Sequence, residues 1–281
     1  MRRGSELPAP RVSVVQFPGS NCEYETARAL RPLGFEVEVV RWNRPQRLRG
    51  SRAVILPGGF SFEDRVRAGA VAAKERIMDE VVRTAADGAA VLGICNGAQI
   101  LVESGLIPGW DPQRIDAALA ANLVEGRTGY LSRWVFVKAS ETARRICPWL
   151  RRLEDRPVAL PIAHAEGRFV FRPSDLDRID RDQMLLYCQP DGSEAGGYPH
   201  NPNGSGLDLA GLTNPEGNVL AMMPHPERAR WMWQVPPALS GYWGKRRRDA
   251  HHDSSLLAGS GPGCLFFEGL AASLEMDDDH G

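Results

Sequence analysis

The sequence predicts an α/β fold, a doubly wound and mostly parallel sheet with helices on both faces and a small antiparallel extension. Short apolar, strand-like runs alternate with helix-length stretches through the first hundred residues, as βα units do. The first run, residues 12–17, is rich in β-branched residues and reads as a buried strand. Two of the runs end in glycine turns, Pro57-Gly58-Gly59 and residues 93–97. Active sites of parallel sheets gather at such strand carboxyl ends.

Pro18-Gly19-Ser20-Asn21 breaks the first strand, and Ser20 or Asn21 is expected to cap a helix over residues 22–33 that Gly34 ends. Residues 35–40 alternate apolar with acidic, as a half-exposed strand does. A polar, basic connection leads to a third strand over residues 53–56. A long helix is expected from about 65 to 87, then a fourth strand over 89–94. Beyond Pro108-Gly109 the character changes. Polar helix-like and loop-like sequence runs to Thr128, and short strands are expected over 132–138, 158–162, 184–188, 209–213 and 219–223. These read as the antiparallel extension plus the last core strands. Residues 191–206, rich in Gly, Pro, Asn and Ser, are a loop. Residues 228–263 hold Trp231, Trp233, Trp243, the basic run 245–248 and His251-His252, and form a long insertion before a final helix over 265–274.

At 281 residues and 43% apolar composition, one large domain with a substantial core is expected. A net charge of −1 gives no sign of nucleic-acid or membrane affinity. The five cysteines contain no Cys-x-x-Cys pair, so neither a disulfide framework nor a thiolate metal site is suggested, which fits a reducing compartment. Residues 1–11 have no apolar segment of a secretory signal, and no run approaches the roughly 20 apolar residues of a membrane span. No Gly-x-x-x-x-Gly-Lys-Ser/Thr loop marks a nucleotide site. A cytoplasmic protein is expected.

Gly93-Ile94-Cys95-Asn96-Gly97 is a strand, a glycine-flanked turn and a helix start, the pattern of a nucleophile elbow. It projects Cys95 at a helix N-terminus, where the dipole favours thiolate, and aims the Asn96 N–H at an oxyanion beside it. A cysteine nucleophile needs a base. His225 follows an apolar strand, with Glu227 two residues on; in extended chain the two face the same way. The flanking prolines, Pro224 and Pro226, favour extension. His164-x-Glu166 repeats the arrangement after another strand, open between substrate binding, site shaping, an alternative base and a purely structural role. The His251-His252 pair and the basic run read as solvated surface, and Cys22, Cys147, Cys188 and Cys264 as packing residues.

Together the elbow, Pro57-Gly58-Gly59-Phe60-Ser61 and His225-Pro226-Glu227 resemble the class I triad glutamine amidotransferases. Residues 17–22, 67–70, 161–169, 201–205 and 210–213 are similar to the glutaminase subunits of phosphoribosylformylglycinamidine synthases, and agreement of so many segments in order is specific. Glu63 and Ala165 stand where that family has glycine, and the 230–262 insertion is longer than in compact members. The resemblance implies a flavodoxin-like domain over 11–275, with 230–262 as an insertion or loop and 1–10 and 276–281 as tails. It implies catalysis by Cys95, His225 and Glu227, an oxyanion hole at Gly58, Gly59 and Asn96, and substrate contacts from Gln99, His164 and Glu166. It also implies no metal or cofactor in this chain. Ammonia from glutamine would pass to a large synthetase subunit carrying ATP and Mg, with a small accessory subunit in the same enzyme; apolar residues of the insertion are a candidate docking site for it. The alternatives are the glutaminase of CTP, GMP or carbamoyl-phosphate synthesis, a γ-glutamyl hydrolase, or a catalytically silent regulatory subunit.

Overall fold

A computed structural model describes residues 8–111 and 114–278. The first half is built of β1 (Arg11–Gln16), α1 (Glu23–Leu30), β2 (Glu36–Arg41), β3 (Ala53–Leu56), α2 (Arg76–Ala86), β4 (Ala90–Ile94) and α3 (Asn96–Glu103). The second half adds β5 (Ala117–Ala121), β6 (Leu131–Ala139), α4 (Glu141–Ile146), β7 (Val158–His164), β8 (Glu166–Phe171), β9 (Met184–Cys188), β10 (Leu209–Thr213) and β11 (Val219–Met222). Three helices follow: α5 (Gly241–Asp249), α6 (Ser254–Ala258) and α7 (Cys264–Asp278).

A nine-stranded sheet runs in the order β2-β1-β3-β4-β11-β10-β9-β6-β7. Its first five strands are parallel and its last four are joined antiparallel. The parallel part has the flavodoxin-like order, with the direction of winding reversing between β1 and β3. Every residue of β3, β4 and β11 is buried, so both faces of the sheet centre are covered. Strand β2 lies at the edge and shows the mixed burial expected of it. Helix α3 packs across β3, β4 and β11, and Trp149, fully buried, donates from Nε1 to the Val91 carbonyl at 3.1 Å.

Several local expectations are corrected. The long helix from 65 to 87 is only α2; the chain before it turns, because Val66 (φ 73°) and Gly69 (φ 79°) take left-handed conformations that stop helical winding. Neither Ser20 nor Asn21 caps α1. Cys22 is its N-cap, without a side-chain hydrogen bond, while Ser20 Oγ accepts from the Phe17 N–H and the Asn21 and Cys22 amides donate to the Gly58 carbonyl. The stretch read as polar helix or loop before Thr128 contains β5, which pairs antiparallel with β8. An alanine run has little strand preference of its own, and the partner strand decides it. The final helix runs to Asp278, so it takes in part of the expected C-terminal tail; residues 1–7 and 279–281 of the expected tails, with His280, lie outside the described residues.

The 230–262 insertion is not an open loop. Met232, Val235, Trp243 and Ala250 build a second small core against Phe136, Ala159 and Cys188 at the antiparallel end of the sheet. The Trp243 Nε1 donates to the Pro157 carbonyl at 3.1 Å. Truncation of this side chain, Trp243→Ala, is expected to cost about 3 kcal/mol, read as a lower midpoint in urea denaturation; an unchanged midpoint would show that the insertion contributes no packing energy.

Candidate active site

Three neighbouring strands, β3, β4 and β11, end at one place. Cys95 joins β4 to α3 with φ 52° and ψ −105°, a conformation that L-residues seldom adopt and that marks a strained elbow. Close packing requires the flanking glycine: a Cβ on Gly97 would lie 1.9 Å from the Leu56 carbonyl oxygen. The sulfur therefore stands at the N-terminus of α3, beside the Asn96 amide, which by its position has no acceptor within the helix. Cys95 Sγ also faces the Ala163 carbonyl at 3.5 Å.

Strand β11 lies beside β4 with Met222 opposite Ile94, so the chain leaving it passes the elbow. The His225 amide donates to the Pro161 carbonyl at 2.9 Å, and His225 Nδ1 bonds Glu227 Oε1 at 2.6 Å with both residues buried. The two meet by a different route from the extended chain expected. Only His225 is extended (φ −103°, ψ 93°), and Pro226–Ala229 form a 3-10 turn that swings the carboxylate back under the ring. Burial alone would lower the His225 pKa, but the charges of Glu227 and then Cys95 outweigh it and hold the imidazole well above its ordinary value. Nε2, the ring nitrogen away from Glu227, has no hydrogen-bond partner among the described residues.

Gly58 follows β3 and closes over this pair; a Cβ there would sit 2.7 Å from His225 Cε1 and 3.2 Å from Cys22 Sγ. Gly59 (φ 149°) turns the chain away. Residues 62–64 and 66 then run through four left-handed conformations. This loop is fastened to the elbow by the Ser61 amide, which donates to Asn96 Oδ1 at 3.0 Å, and by Asn96 Nδ2, which donates to Asp64 Oδ1 at 3.3 Å. The Asp64 carboxyl is pushed up to about 6 by burial and then by the charge of Glu166.

Gln99 lies one turn along α3 with both ends of its amide engaged: Oε1 accepts from Asn96 Nδ2 at 2.9 Å, and Nε2 donates to the Glu166 carbonyl at 2.6 Å. His164 is buried at the end of β7, its Nδ1 against Asn122 Oδ1 at 3.1 Å. Burial, and next the positive charge of His225, push its pKa down to about 3. The structure thus brings together the elbow, Gly58, Gly59, His225 and Glu227, with Gln99, His164 and Glu166 beside them. His251 and His252 are exposed in a turn apart from it.

Three participants escaped the sequence reading. Asn122, which also accepts from the Gly167 amide and donates to the His164 carbonyl, lies in the segment whose sequence reads as polar helix or loop. Asp64 lies between the Pro57–Ser61 turn and the expected helix start at about 65, where the sequence offers no signal for it. Cys22 was read as a packing cysteine, yet its sulfur accepts from Arg228 Nη2 at 3.1 Å and burial pushes its thiol pKa up. Cys22, His225 and Glu227 offer one ligand atom each within 4.8 Å of one another, a set that could hold a metal ion. Cys147, Cys188 and Cys264 are buried, with thiols pushed up to about 12 by burial.

Residues 9–253 match the family of the CobB/CobQ-like glutamine amidotransferase domain. The phosphoribosylformylglycinamidine synthase subunit PurQ of Methanothrix thermoacetophila is 45% identical over 246 residues, covering 83% of this chain and 92% of that relative. The subunit of the same name from Thermus thermophilus is 41% identical over 220 residues, covering 78% and 89%. A chain in the structure of PurLQS from Thermotoga maritima matches with a TM-score of 0.68 and 32% identity, over 95% of this chain and 99% of that one.

The depressed His164 has a measurable consequence. In the unfolded chain its pKa is about 6.5, so below that pH the unfolded state takes up a proton that the native state refuses until about 3. This residue therefore withdraws stability as pH falls, by up to about 1.4 kcal/mol per pH unit. His164→Asn, which retains a donor for Asn122 Oδ1, is expected to flatten the acid limb of stability relative to wild type. Urea denaturation across a series of pH values below about 6.5 checks this, and equal slopes in the two proteins would contradict it.

Proposed function

This chain belongs to the CobB/CobQ-like glutamine amidotransferase family, and from that membership and the site geometry we infer that it is the glutaminase subunit of a phosphoribosylformylglycinamidine synthase. The observation that carries the reading is the convergence of a strained cysteine elbow and a buried histidine–carboxylate pair at adjacent strand ends. The enzyme hydrolyses glutamine to glutamate and ammonia for purine biosynthesis.

In the mechanism we propose, Cys95 Sγ attacks the side-chain amide carbon of glutamine. The carbonyl π electrons move to oxygen, and the oxyanion is met by the Asn96 N–H and a backbone N–H at Gly58 or Gly59. His225, oriented and charged through Glu227, gives its Nε2 proton to the departing nitrogen as the carbon–nitrogen bond breaks. Ammonia leaves and a thioester remains on Cys95. Water then attacks the thioester, His225 takes its proton, and glutamate departs with the sulfur released as thiolate.

Gln99, His164 and Glu166 form the wall on the substrate side: Gln99 fixes the backbone of Glu166, and His164 supports the same hairpin through Asn122. The chain needs no cofactor of its own. ATP and Mg belong to a large synthetase subunit, a small accessory subunit completes the assembly, and the complex works in the cytoplasm. The catalytic domain spans residues 11–275, and the insertion presents the exposed rings of Trp233 and Tyr242 to the other subunits.

Replacing the nucleophile separates the two halves of the reaction. Cys95→Ala is expected to lower glutamine-dependent synthesis by about three orders of magnitude or more, while synthesis driven by added ammonium continues at the wild-type rate. Loss of both in the reconstituted complex would overturn the division of labour.

A further inference from the structure

We propose that Cys22, His225 and Glu227 form a binding site for a divalent transition-metal ion of the zinc class, and that occupancy switches the glutaminase off by withdrawing His225 from Cys95. The switching part rests on the reading of His225 as the proton-transfer group; the binding part does not.

The donors come from separate pieces of the fold: Cys22 at the start of α1, His225 after β11 and Glu227 in the turn behind it. All three are buried, with 1%, 2% and 1% of their surfaces exposed. Their ligand atoms already lie within 4.8 Å of one another. Zinc bonds of about 2.0–2.3 Å to nitrogen, oxygen and sulfur bring such atoms to roughly 3.5 Å apart in a tetrahedral site, so closure takes shifts on the order of 1 Å. One thiolate, one imidazole and one carboxylate make a donor set that suits this ion, with a fourth position left for water.

A second observation points the same way. Glu227 Oε2 is buried and has no hydrogen-bond partner among the described residues, although Oε1 is committed to His225. A buried carboxylate oxygen without a donor is costly, and a cation would satisfy it. The residue opposing a cation is Arg228, whose Nη2 lies 3.1 Å from Cys22 Sγ and whose Nε donates to Glu25 Oε2 at 3.1 Å. This side chain is 37% exposed and can turn outward with Glu25, which is 52% exposed. A cavity of about 430 Å³ walled by Trp134, Pro161, His225, Arg228 and Trp233 gives a route in from solvent.

Binding releases the Cys22 thiol proton and the proton on His225 Nδ1, and the metal takes their places. The imidazole is then capped at one nitrogen while Nε2 keeps its proton, so the ring cannot take a proton from water. Nor can it give one up without becoming an imidazolate.

The test titrates Zn²⁺ and Co²⁺ into the metal-stripped full chain, in wild type and in Cys95→Ala, Cys22→Ala and Cys22→Ser. Calorimetry reads affinity and absorbance reads the sulfur-to-cobalt charge-transfer band. The expected result is one site with that band in wild type and Cys95→Ala. Both Cys22 variants should lose the band and bind Zn²⁺ at least about 10-fold more weakly. Zn²⁺ should also inhibit wild-type glutaminase, with recovery on chelation. Absence of binding overturns the site, as does a band that persists without Cys22 but vanishes without Cys95. Binding without inhibition overturns the switch while leaving the site, and the reading of the triad is tested separately by the ammonium rescue of Cys95→Ala.

Discussion

The buried bond between His225 Nδ1 and Glu227 Oε1, 2.6 Å long, is the interaction on which the site depends. Neither partner sees solvent, so each would be expensive to bury alone. Together they keep a charged imidazole within reach of the elbow, and the charge of Cys95 adds to its stabilisation. Much nearby structure serves that pair. The Pro161 carbonyl fixes the His225 backbone, and Gly58 leaves room for the ring where any other residue would strike it. The strand order does the rest, placing β3, β4 and β11 side by side so that their three ends meet.

What could be read from the residues was what local chemistry determines. The buried strands β1, β3 and β4 were legible because composition and flanking glycines agree, and Cys95 because a strand, a glycine turn and a helix start coincide. His225 and Glu227 were legible as a pair by spacing, although the backbone that joins them is a turn and not extended chain. What stayed hidden rests on distant partners. Strand β5 has an alanine-rich sequence and becomes a strand because β8 binds it in register from Leu119 opposite Phe169. Asn122 takes its meaning from His164, 42 residues on, and Cys22 from Arg228, 206 residues on. The supposed helix before α2 failed where single left-handed residues outweighed a helical composition.

The insertion shows the same division. Its composition reads as a long insertion with a solvated basic run, and a folded cap emerges because Trp243 finds an apolar seat between β6, β7 and β9. Of its basic run, Lys245, Arg246 and Arg248 are exposed: Lys245 pairs with Asp249 and Arg246 lies over Trp243.

The contrast between the two buried histidines reaches beyond stability. One imidazole near the sulfur is charged and the other, His164, is neutral because its pKa is pushed to about 3. In the proposed reaction the departing nitrogen would therefore meet one charged imidazole, that of His225, and take one hydrogen from it. It would leave with its lone pair intact, whereas in bulk water at neutral pH most of it would become ammonium. That lone pair is the property that any downstream amination consumes.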